Sequence, residues 1–172
     1  LAAGSKPAPI RFPGLQESTL ITSNQILAGT RTAGKNVLVI GGGFGGPQTA
    51  GHLAVHGHSV TLITKSPEVG ANLVPGNRYH LLKLLHQYQV TRYTGASVRK
   101  VISGGVVADL PEGEREIAGF DTLVFVDRLS PENDLATACA DMVREIIVVG
   151  DARMIGDGGD AVLSGYEAGL KI

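Results

Sequence analysis

The composition of the chain fits a globular protein of one domain, or of one domain with pieces of another. The chain has 172 residues, 43% of them apolar, and a formal net charge of −1, so it can form a real core. The balanced charge, without a basic block, argues against nucleic acid as a partner. No run approaches the length of a membrane span, and the single cysteine, Cys139, excludes an intrachain disulfide. We therefore expect a cytoplasmic protein without a membrane partner.

The first 30 residues predict connecting segments around one short helix. Residues 6–19 are rich in Pro and Gly and predict an extended linker. Residues 22–27 predict a short helix whose N-cap is Ser23 or Asn24. Because the opening at Leu1 has the character of the middle of a domain, we expect a fragment of a longer protein.

The segment 36–46 predicts a buried strand that runs into a G-x-G-x-x-G turn and then a helix. In such a turn Gly41 permits the tight bend, Gly43 lets a pyrophosphate approach the backbone, and Gly46 lets the helix pack on the strand. The helix amides then lie beside the pyrophosphate. Since 24 of the 172 residues are glycine, the flanking strand and helix give the motif its weight.

The residues after the glycine turn complete one βαβ unit. A helix is predicted over 46–55, with Pro47 in its first turn, where a missing N–H costs nothing. Gly57 lies where a helix C-cap would be, and residues 59–64 predict a second buried strand. Together these elements have the length that a parallel crossover needs.

The rest of the chain predicts a change of pattern and then a return to buried strands. We expect a loop over 65–76, a helix over 77–89, short strands over 90–93, 97–102, 106–110 and 114–118, buried strands over 121–126 and 145–151, and a helix over 160–172. The predicted fold class is therefore α/β: a Rossmann-like, doubly wound parallel sheet with an inserted three-stranded antiparallel meander.

This order of elements resembles the pyridine-nucleotide domain of the two-dinucleotide-binding flavoproteins. Within them the chain is most similar to the C-terminal part of NADH:flavin oxidoreductases of the 2-enoate reductase, 2,4-dienoyl-CoA reductase and trimethylamine dehydrogenase group. The similarity lies in residues 1–7, 21–29, 146–152 and 165–169. It implies three parts: a residual FAD-domain strand and linker over 1–30, an NAD(P)H-binding domain over 31–140, and a returning FAD-domain strand with a terminal helix over 141–172.

The resemblance also implies cofactors and partners. NAD(H) or NADP(H) would bind this chain, and FAD would bind in the full-length parent, where Gly4, Gly150 and Asp151 would form an incomplete part of its site. The implied partners are the FAD domain and the FMN and iron–sulfur domains of the parent. A homo-oligomer stays open.

Several residues depart from the family pattern around the nucleotide. Thr64 and Lys65 stand where many NAD-dependent members carry an acid, which permits NADP(H) and weakens the case for NAD(H). Lys65 could equally be a solvated loop charge. Asp127 and Arg128 stand where the family has a glycine near the nicotinamide. The candidate nucleotide-binding residues are Gly41, Gly43, Phe44, Gly45, Gly46, Gln48, Thr64, Lys65, Asp127 and Arg128.

Two functions remain open from the sequence. The first is the NAD(P)H-binding part of a flavin-dependent oxidoreductase, inactive by itself, which positions the nicotinamide for hydride transfer to FAD. The second is a silent ADP- or nucleotide-binding module of such a flavoprotein. Neither needs a catalytic side chain from this segment. A zinc site is not expected, since His52 and His56 are four residues apart without an obvious third ligand.

Overall fold

The computed structural model describes residues 1–171, with ten strands and five helices. The strands are β1 (Ser5–Pro7), β2 (Ile21–Thr22), β3 (Asn36–Ile40), β4 (Ser59–Ile63), β5 (Thr91–Tyr93), β6 (Ser97–Ile102), β7 (Gly105–Leu110), β8 (Gly113–Ala118), β9 (Thr122–Phe125) and β10 (Leu129–Pro131). The helices are α1 (Ser23–Leu27), α2 (Gly45–Val55), α3 (Pro75–Gln87), α4 (Asp134–Ala138) and α5 (Gly158–Gly169).

The chain divides into two compact units. The larger unit is residues 10–127, and the smaller unit consists of residues 1–9 together with the chain from residue 128 onward. The larger unit holds strands β2 to β9 and helices α1 to α3. The smaller unit holds β1, β10, α4 and α5.

A parallel five-stranded sheet forms the centre of the larger unit, in the order β2-β9-β3-β4-β5. The central strand β3 has the sequence Asn-Val-Leu-Val-Ile, and its last four residues are buried. Because side chains alternate between faces, Val37 and Val39 pack into one core while Leu38 and Ile40 pack into the other. Burial on both faces explains why this strand is an unbroken apolar run.

The two faces of this sheet are covered differently. Buried residues of α1, α2 and α3 share one core with β3, β4 and β9. On the other face, the antiparallel sheet β6-β7-β8 supplies buried residues such as Val106 and Ala108 to a second core. The α/β fold with an antiparallel three-stranded insertion is therefore confirmed. The insertion takes the place of the helix that would otherwise connect β5 to β9.

The structure shifts several predicted boundaries. Helix α2 begins at Gly45 and α3 at Pro75, the latter with its proline in the first turn. The cap of α1 was predicted wrongly. Thr22 caps it, in a capping box in which the Gln25 amide donates to the Thr22 side chain and the Gln25 side chain accepts from the Thr22 amide. That reciprocal pairing stabilises the helix start better than a lone serine.

The smaller unit corrects the predicted linker. Residues 6–19 were predicted to be an extended linker, but Lys6 and Pro7 belong to β1, which pairs antiparallel with β10, with Ser5 opposite Pro131. Pro7 is tolerated because it ends a strand of only three residues. Residues 17–19 form a short 3₁₀ turn in the larger unit.

The predicted strand over 145–151 is also corrected. Residues 145–149 form no regular strand, and residues 150–152 form a 3₁₀ turn. The Leu1 N-terminus donates to the Ile147 carbonyl (2.7 Å) and the Val149 amide donates to the Leu1 carbonyl (3.0 Å), which is the bonding of a parallel pair. A single neighbouring residue, Leu1, is too short a partner for residues 145–149 to form a regular β-ladder. The helix predicted over 160–172 corresponds to α5, which spans Gly158–Gly169. Residue 172 of that prediction lies outside the described residues.

Candidate functional site

The glycine turn follows the carboxyl end of β3. Gly41 has φ +128°, a left-handed value that favours glycine, and its amide donates to the Ile63 carbonyl (2.9 Å). An added Cβ at Gly41 would lie 2.7 Å from Val126 Cβ, and one at Gly46 would lie 1.7 Å from the Gly41 carbonyl oxygen. The start of α2 therefore packs directly on the turn, and neither position has room for a side chain.

Gly42 is a third position at which a side chain does not fit, and the G-x-G-x-x-G motif does not predict a glycine there. A Cβ there would lie 1.6 Å from Thr64 Oγ1 and 2.2 Å from Thr64 Cβ. The motif treats this position as variable. In this chain the requirement for glycine comes from β4, because Thr64 follows that strand directly and is buried beneath the turn.

The outer side of the turn is open. Among residues 1–171, a Cβ at Gly43 would meet no atom within 4 Å, and the Phe44 side chain is 58% exposed. No side chain in the described part of the chain caps the N-terminus of α2. Within residues 1–171, the amides of Gly43, Phe44 and Gly45 donate no hydrogen bond outside the helices and strands. Unpaired amides at a helix N-terminus attract anions, and a backbone free of side chains forms a cradle for a diphosphate.

The first turn of α2 is shaped for this arrangement. Pro47 is buried and has no N–H to leave unpaired. Thr49 is buried too, and its hydroxyl donates back to the Gly45 carbonyl at 2.8 Å. Gln48 is exposed on this turn. The candidate residues Gly41, Gly43, Phe44, Gly45, Gly46 and Gln48 are therefore continuous along one turn and one helix start.

Thr64 and Lys65 lie at the same edge of the sheet, beyond β4. The Thr64 side chain is 2% exposed, and its hydroxyl accepts from the Ser66 amide at 3.1 Å. Lys65 is exposed. The structure thus brings Thr64 against the glycine turn, whereas the Lys65 side chain projects outward.

Asp127 makes contacts that the sequence did not suggest. Its Oδ2 accepts from Ser23 Oγ (2.6 Å) and from the Asn24 amide (2.7 Å), and its own amide donates to Ser23 Oγ (3.0 Å). This carboxylate therefore stabilises the N-terminus of α1. It is part of the scaffold beside β9, and its proposed proximity to a nicotinamide stays a prediction.

The remaining candidates belong to the smaller unit. Arg128 is exposed, and its carbonyl accepts from the Ala8 amide at 2.8 Å. Gly4, Gly150 and Asp151 line one pocket of about 340 Å³, together with the start of α5. Asp151 accepts from Ser5 Oγ (3.4 Å) and from the Gly156 amide (3.2 Å). The structure therefore gathers these three predicted flavin residues, although they are up to 147 positions apart.

A second concave region lies away from the glycine turn. A pocket of about 590 Å³ in the larger unit is lined by Arg31, Ser103, Asp121 and Thr122 among others. Asp121 and Thr122 lie at the amino end of β9, whereas ligands of open α/β sheets bind at the carboxyl ends of the strands. The arrangement of amides, rather than the size of a pocket, therefore locates the candidate site.

Two further observations cover the part of the chain that the structure describes. No group of three or more His, Cys, Asp or Glu side chains there could hold a metal ion. In residues 1–171, no helix has both the length and the apolar character needed to cross a membrane.

The comparison with protein families decides what kind of domain this is. A model described as pyridine nucleotide-disulphide oxidoreductase matches residues 1–153. The chain belongs to this family. It is therefore an oxidoreductase-type domain of the kind that uses NAD(P)H and FAD.

Individual relatives of this pyridine nucleotide-disulphide oxidoreductase domain are longer proteins. This chain is 30% identical over 177 residues to an NADH oxidase of Thermoanaerobacter brockii, and the alignment covers 100% of this chain and 27% of that protein. It is 26% identical over 175 residues to a cinnamate reductase of Clostridium sporogenes, covering 100% and 26%. The solved structure of a 2-naphthoyl-CoA reductase with 2-naphthoyl-CoA matches with a TM-score of 0.83 and 24% identity, over 99% of this chain and 26% of that one.

The likeness to the 2-naphthoyl-CoA reductase structure is a likeness of fold. The chain spans about a quarter of the length of these relatives.

Proposed function

We propose that this chain is the NAD(P)H-binding part of a flavin-dependent oxidoreductase of the NADH:flavin oxidoreductase type. The supporting observation is the open glycine turn, where the amides of Gly43, Phe44 and Gly45 have no partner within residues 1–171 and no side chain fills the space outside Gly43. A diphosphate supplies the negative charge and the acceptor oxygens that such a cradle lacks.

The residues of this chain act by positioning. The turn anchors the pyrophosphate, Thr64 supports the turn from beneath, and the segment after β9 sets where the nicotinamide end lies. When bound, the nicotinamide and the flavin supply the hydride transfer themselves. No side chain of this chain has to donate or accept a proton in that step.

We propose that the pocket lined by Gly4, Gly150 and Asp151 contributes to FAD binding in the full-length parent. Its floor is the positive-φ backbone of Gly150 (+60°), whose amide donates to Ser164 Oγ at 2.8 Å. The start of α5 adds a helix N-terminus beside it. Because relatives are about four times longer, the other side of this site would come from elsewhere in such a parent, and the chain by itself would hold flavin weakly.

The exposed side chains of α5 support a partner on the smaller unit. Val162, Leu163, Tyr166 and Leu170 are 73%, 56%, 65% and 70% exposed, at spacings that place them along the helix. Single exposed apolar residues are ordinary, but a continuous patch marks an interface. We propose that the remainder of the FAD domain, supplied by the parent, covers this patch, while the NAD(P)H-binding function resides in the larger unit.

Calorimetric titration of the purified chain with NADH, NADPH and ADP tests the proposed function. We expect binding, and we expect Gly43→Ala to weaken it because the new methyl group would occupy the diphosphate cradle. Gly76→Ala is a matched control, since an added Cβ at Gly76 also meets none of the described atoms within 4 Å. Failure of all three ligands to bind the wild-type chain would overturn the proposal.

The silent nucleotide-binding module is the second candidate. The observation that favours it is Asp127, whose carboxylate is engaged by α1 through Ser23 and Asn24. In a silent module the nicotinamide end would add nothing, so ADP, NADH and NADPH would bind with equal affinity. A dinucleotide that binds at least several-fold more tightly than ADP favours the oxidoreductase.

A further inference from the structure

We infer that the proposed site prefers NADP(H) to NAD(H), and that Lys65 pairs with the 2′-phosphate. This inference rests on the proposed function, because it concerns the adenosine end of the same dinucleotide. Four features of residues 64–68 carry it: the missing carboxylate, the fixed backbone, the unpaired cation and the neutralised neighbouring acid.

The first feature is the absence of an acid where the ribose would lie. In NAD-binding sites a carboxylate about 20 residues after the glycine turn accepts from the ribose hydroxyls. Thr64 stands at that place, at the end of β4, and its buried hydroxyl already accepts from the Ser66 amide at 3.1 Å. Nothing at this position would repel a 2′-phosphate, and the Thr64 hydroxyl is held away from solvent.

The second feature is a fixed backbone on both sides of Lys65. The Thr64 amide donates to the Tyr93 carbonyl (2.8 Å), and the Thr64 carbonyl accepts from the Ala96 amide (2.9 Å). The Ser66 carbonyl accepts from the Gly95 amide at 2.9 Å. The main chain is therefore anchored immediately before and after Lys65, which reduces the conformational entropy that a bound phosphate would cost.

The third feature is charge. Lys65 is exposed, and within residues 1–171 its side chain makes no ion pair. The acid that follows it most closely along the chain, Glu68, pairs with Arg78 at 2.7 Å. The Glu68 amide also donates to Ser66 Oγ at 3.3 Å, which fixes this acid's backbone. An incoming phosphate therefore meets an unneutralised cation on the carboxyl edge of the sheet.

These features distinguish Lys65 from an ordinary solvated lysine. For a lysine on a flexible loop, the entropy cost of ordering the loop and the side chain would offset much of the Coulomb attraction to the phosphate. Here the backbone is already ordered and the competing acid is occupied. One relative is named NADH oxidase, so a preference for NAD(H) is the definite alternative that the experiment can detect.

Competitive binding of NADP⁺ and NAD⁺ tests the inference, because the two differ only in the 2′-phosphate. We expect the wild-type chain to bind NADP⁺ about tenfold more tightly than NAD⁺ at low salt, a difference of about 1.4 kcal/mol. High salt, about 0.5 M, should reduce this ratio of affinities by screening the charge of Lys65. Lys65→Ala removes the preference by weakening NADP⁺ binding much more than NAD⁺ binding, and Lys65→Glu reverses it. Lys83→Ala, at an exposed position on α3, is the control that removes the same charge elsewhere.

The outcomes separate this inference from the function on which it rests. Equal affinity for the two cofactors in the wild-type chain overturns the NADP(H) preference and leaves the dinucleotide site standing. An equal loss of NAD⁺ and NADP⁺ affinity in Lys65→Ala also overturns it, because the lysine would then act on the diphosphate. If neither cofactor binds the wild-type chain, the proposed function itself fails.

Discussion

The hydroxyl of Thr64 occupies the space that a side chain at Gly42 would need. An added Cβ at Gly42 would lie 1.6 Å from Thr64 Oγ1, well inside any van der Waals contact. Thr64 is 2% exposed and cannot move outward, because its backbone is bonded to Tyr93 and Ala96. The glycine turn and the end of β4 therefore depend on each other's shape.

Gly42→Ala is expected to destabilise the larger unit by about 3 kcal/mol, as overpacking of a rigid site does. The measurement is urea unfolding followed by circular dichroism. Thr64→Ala should not rescue it, since Thr64 Cβ itself would lie 2.2 Å from the new methyl group. Thr64→Gly should recover part of the loss. A Gly42→Ala variant as stable as the wild type would show that the turn is not packed in this way.

Gly43→Ala should have the opposite profile. Its added Cβ meets no atom of residues 1–171 within 4 Å, so the free energy of unfolding should change by less than about 1 kcal/mol. Affinity for NADPH and NADH should nevertheless fall about tenfold or more, because the methyl group enters the proposed cradle. Thermal melts and calorimetry on the same preparation measure both effects. Unchanged affinity would exclude the turn as the diphosphate site.

Asp127→Ala tests whether this carboxylate stabilises α1. Its removal leaves the buried hydroxyl of Ser23 and the exposed amide of Asn24 without their acceptor, so we expect a loss of about 2 kcal/mol. Asp127→Asn keeps one acceptor oxygen and should cost less. Chemical denaturation of the three proteins gives the comparison. Identical stabilities would mean that the contact contributes nothing in solution.

The ion pairs of the smaller unit give a pH dependence with a definite sign. Lys6 Nζ lies 2.5 Å from Asp134 Oδ2 and 3.2 Å from Glu132 Oε2. The hydrogen bond from Lys6, followed by its charge, holds the pKa of Asp134 below the ordinary value of 3.8. Because the pKa of Asp134 is lower in the folded chain than in the unfolded chain, its ionised carboxylate stabilises the fold at pH values above the unfolded-state pKa. This contribution is lost as the pH falls through the folded-state pKa.

Carboxyl NMR titration measures this effect directly. In the wild-type chain the pKa of Asp134 should lie below its ordinary value, and in Lys6→Met it should rise toward that value. The Asp134 side chain is 76% exposed, so the effect on stability should be small and should fade in salt. An Asp134 pKa that is the same in both proteins would contradict the pairing.

The apolar surface of α5 predicts the behaviour of the isolated chain. Leu163→Ser with Tyr166→Ser should reduce its self-association with little loss of stability, since these side chains are 56% and 65% exposed. Light scattering and thermal melts test the pair of effects. Lys171→Ser is a control on a polar exposed residue next to the helix. A large drop in melting temperature would show that these side chains pack against the chain itself.

The local elements of the larger unit were predictable from the sequence. Apolar periodicity and glycine content indicate the conformation of the nearest few residues. Local sequence therefore predicts the strand at 37–40, the glycine turn after it and the strands β6 to β8 with their β-branched residues. The predicted parallel unit and the antiparallel meander were correct for this reason. The strand predicted at 145–151 was wrong because a strand also needs a neighbouring strand, and within residues 1–171 the main chain of residues 145–149 bonds only to Leu1.

The sequence by itself determined that a strand bends through glycines 41–46 into a helix, and that three short strands interrupt the parallel sheet. Tertiary structure alone decided that Gly42 must be glycine, that Asp127 stabilises α1 across 104 positions, and that Lys65 stands on an anchored backbone. These three facts depend on which distant segments meet in register. That register is set by how the two cores pack, and no local pattern of residues encodes it.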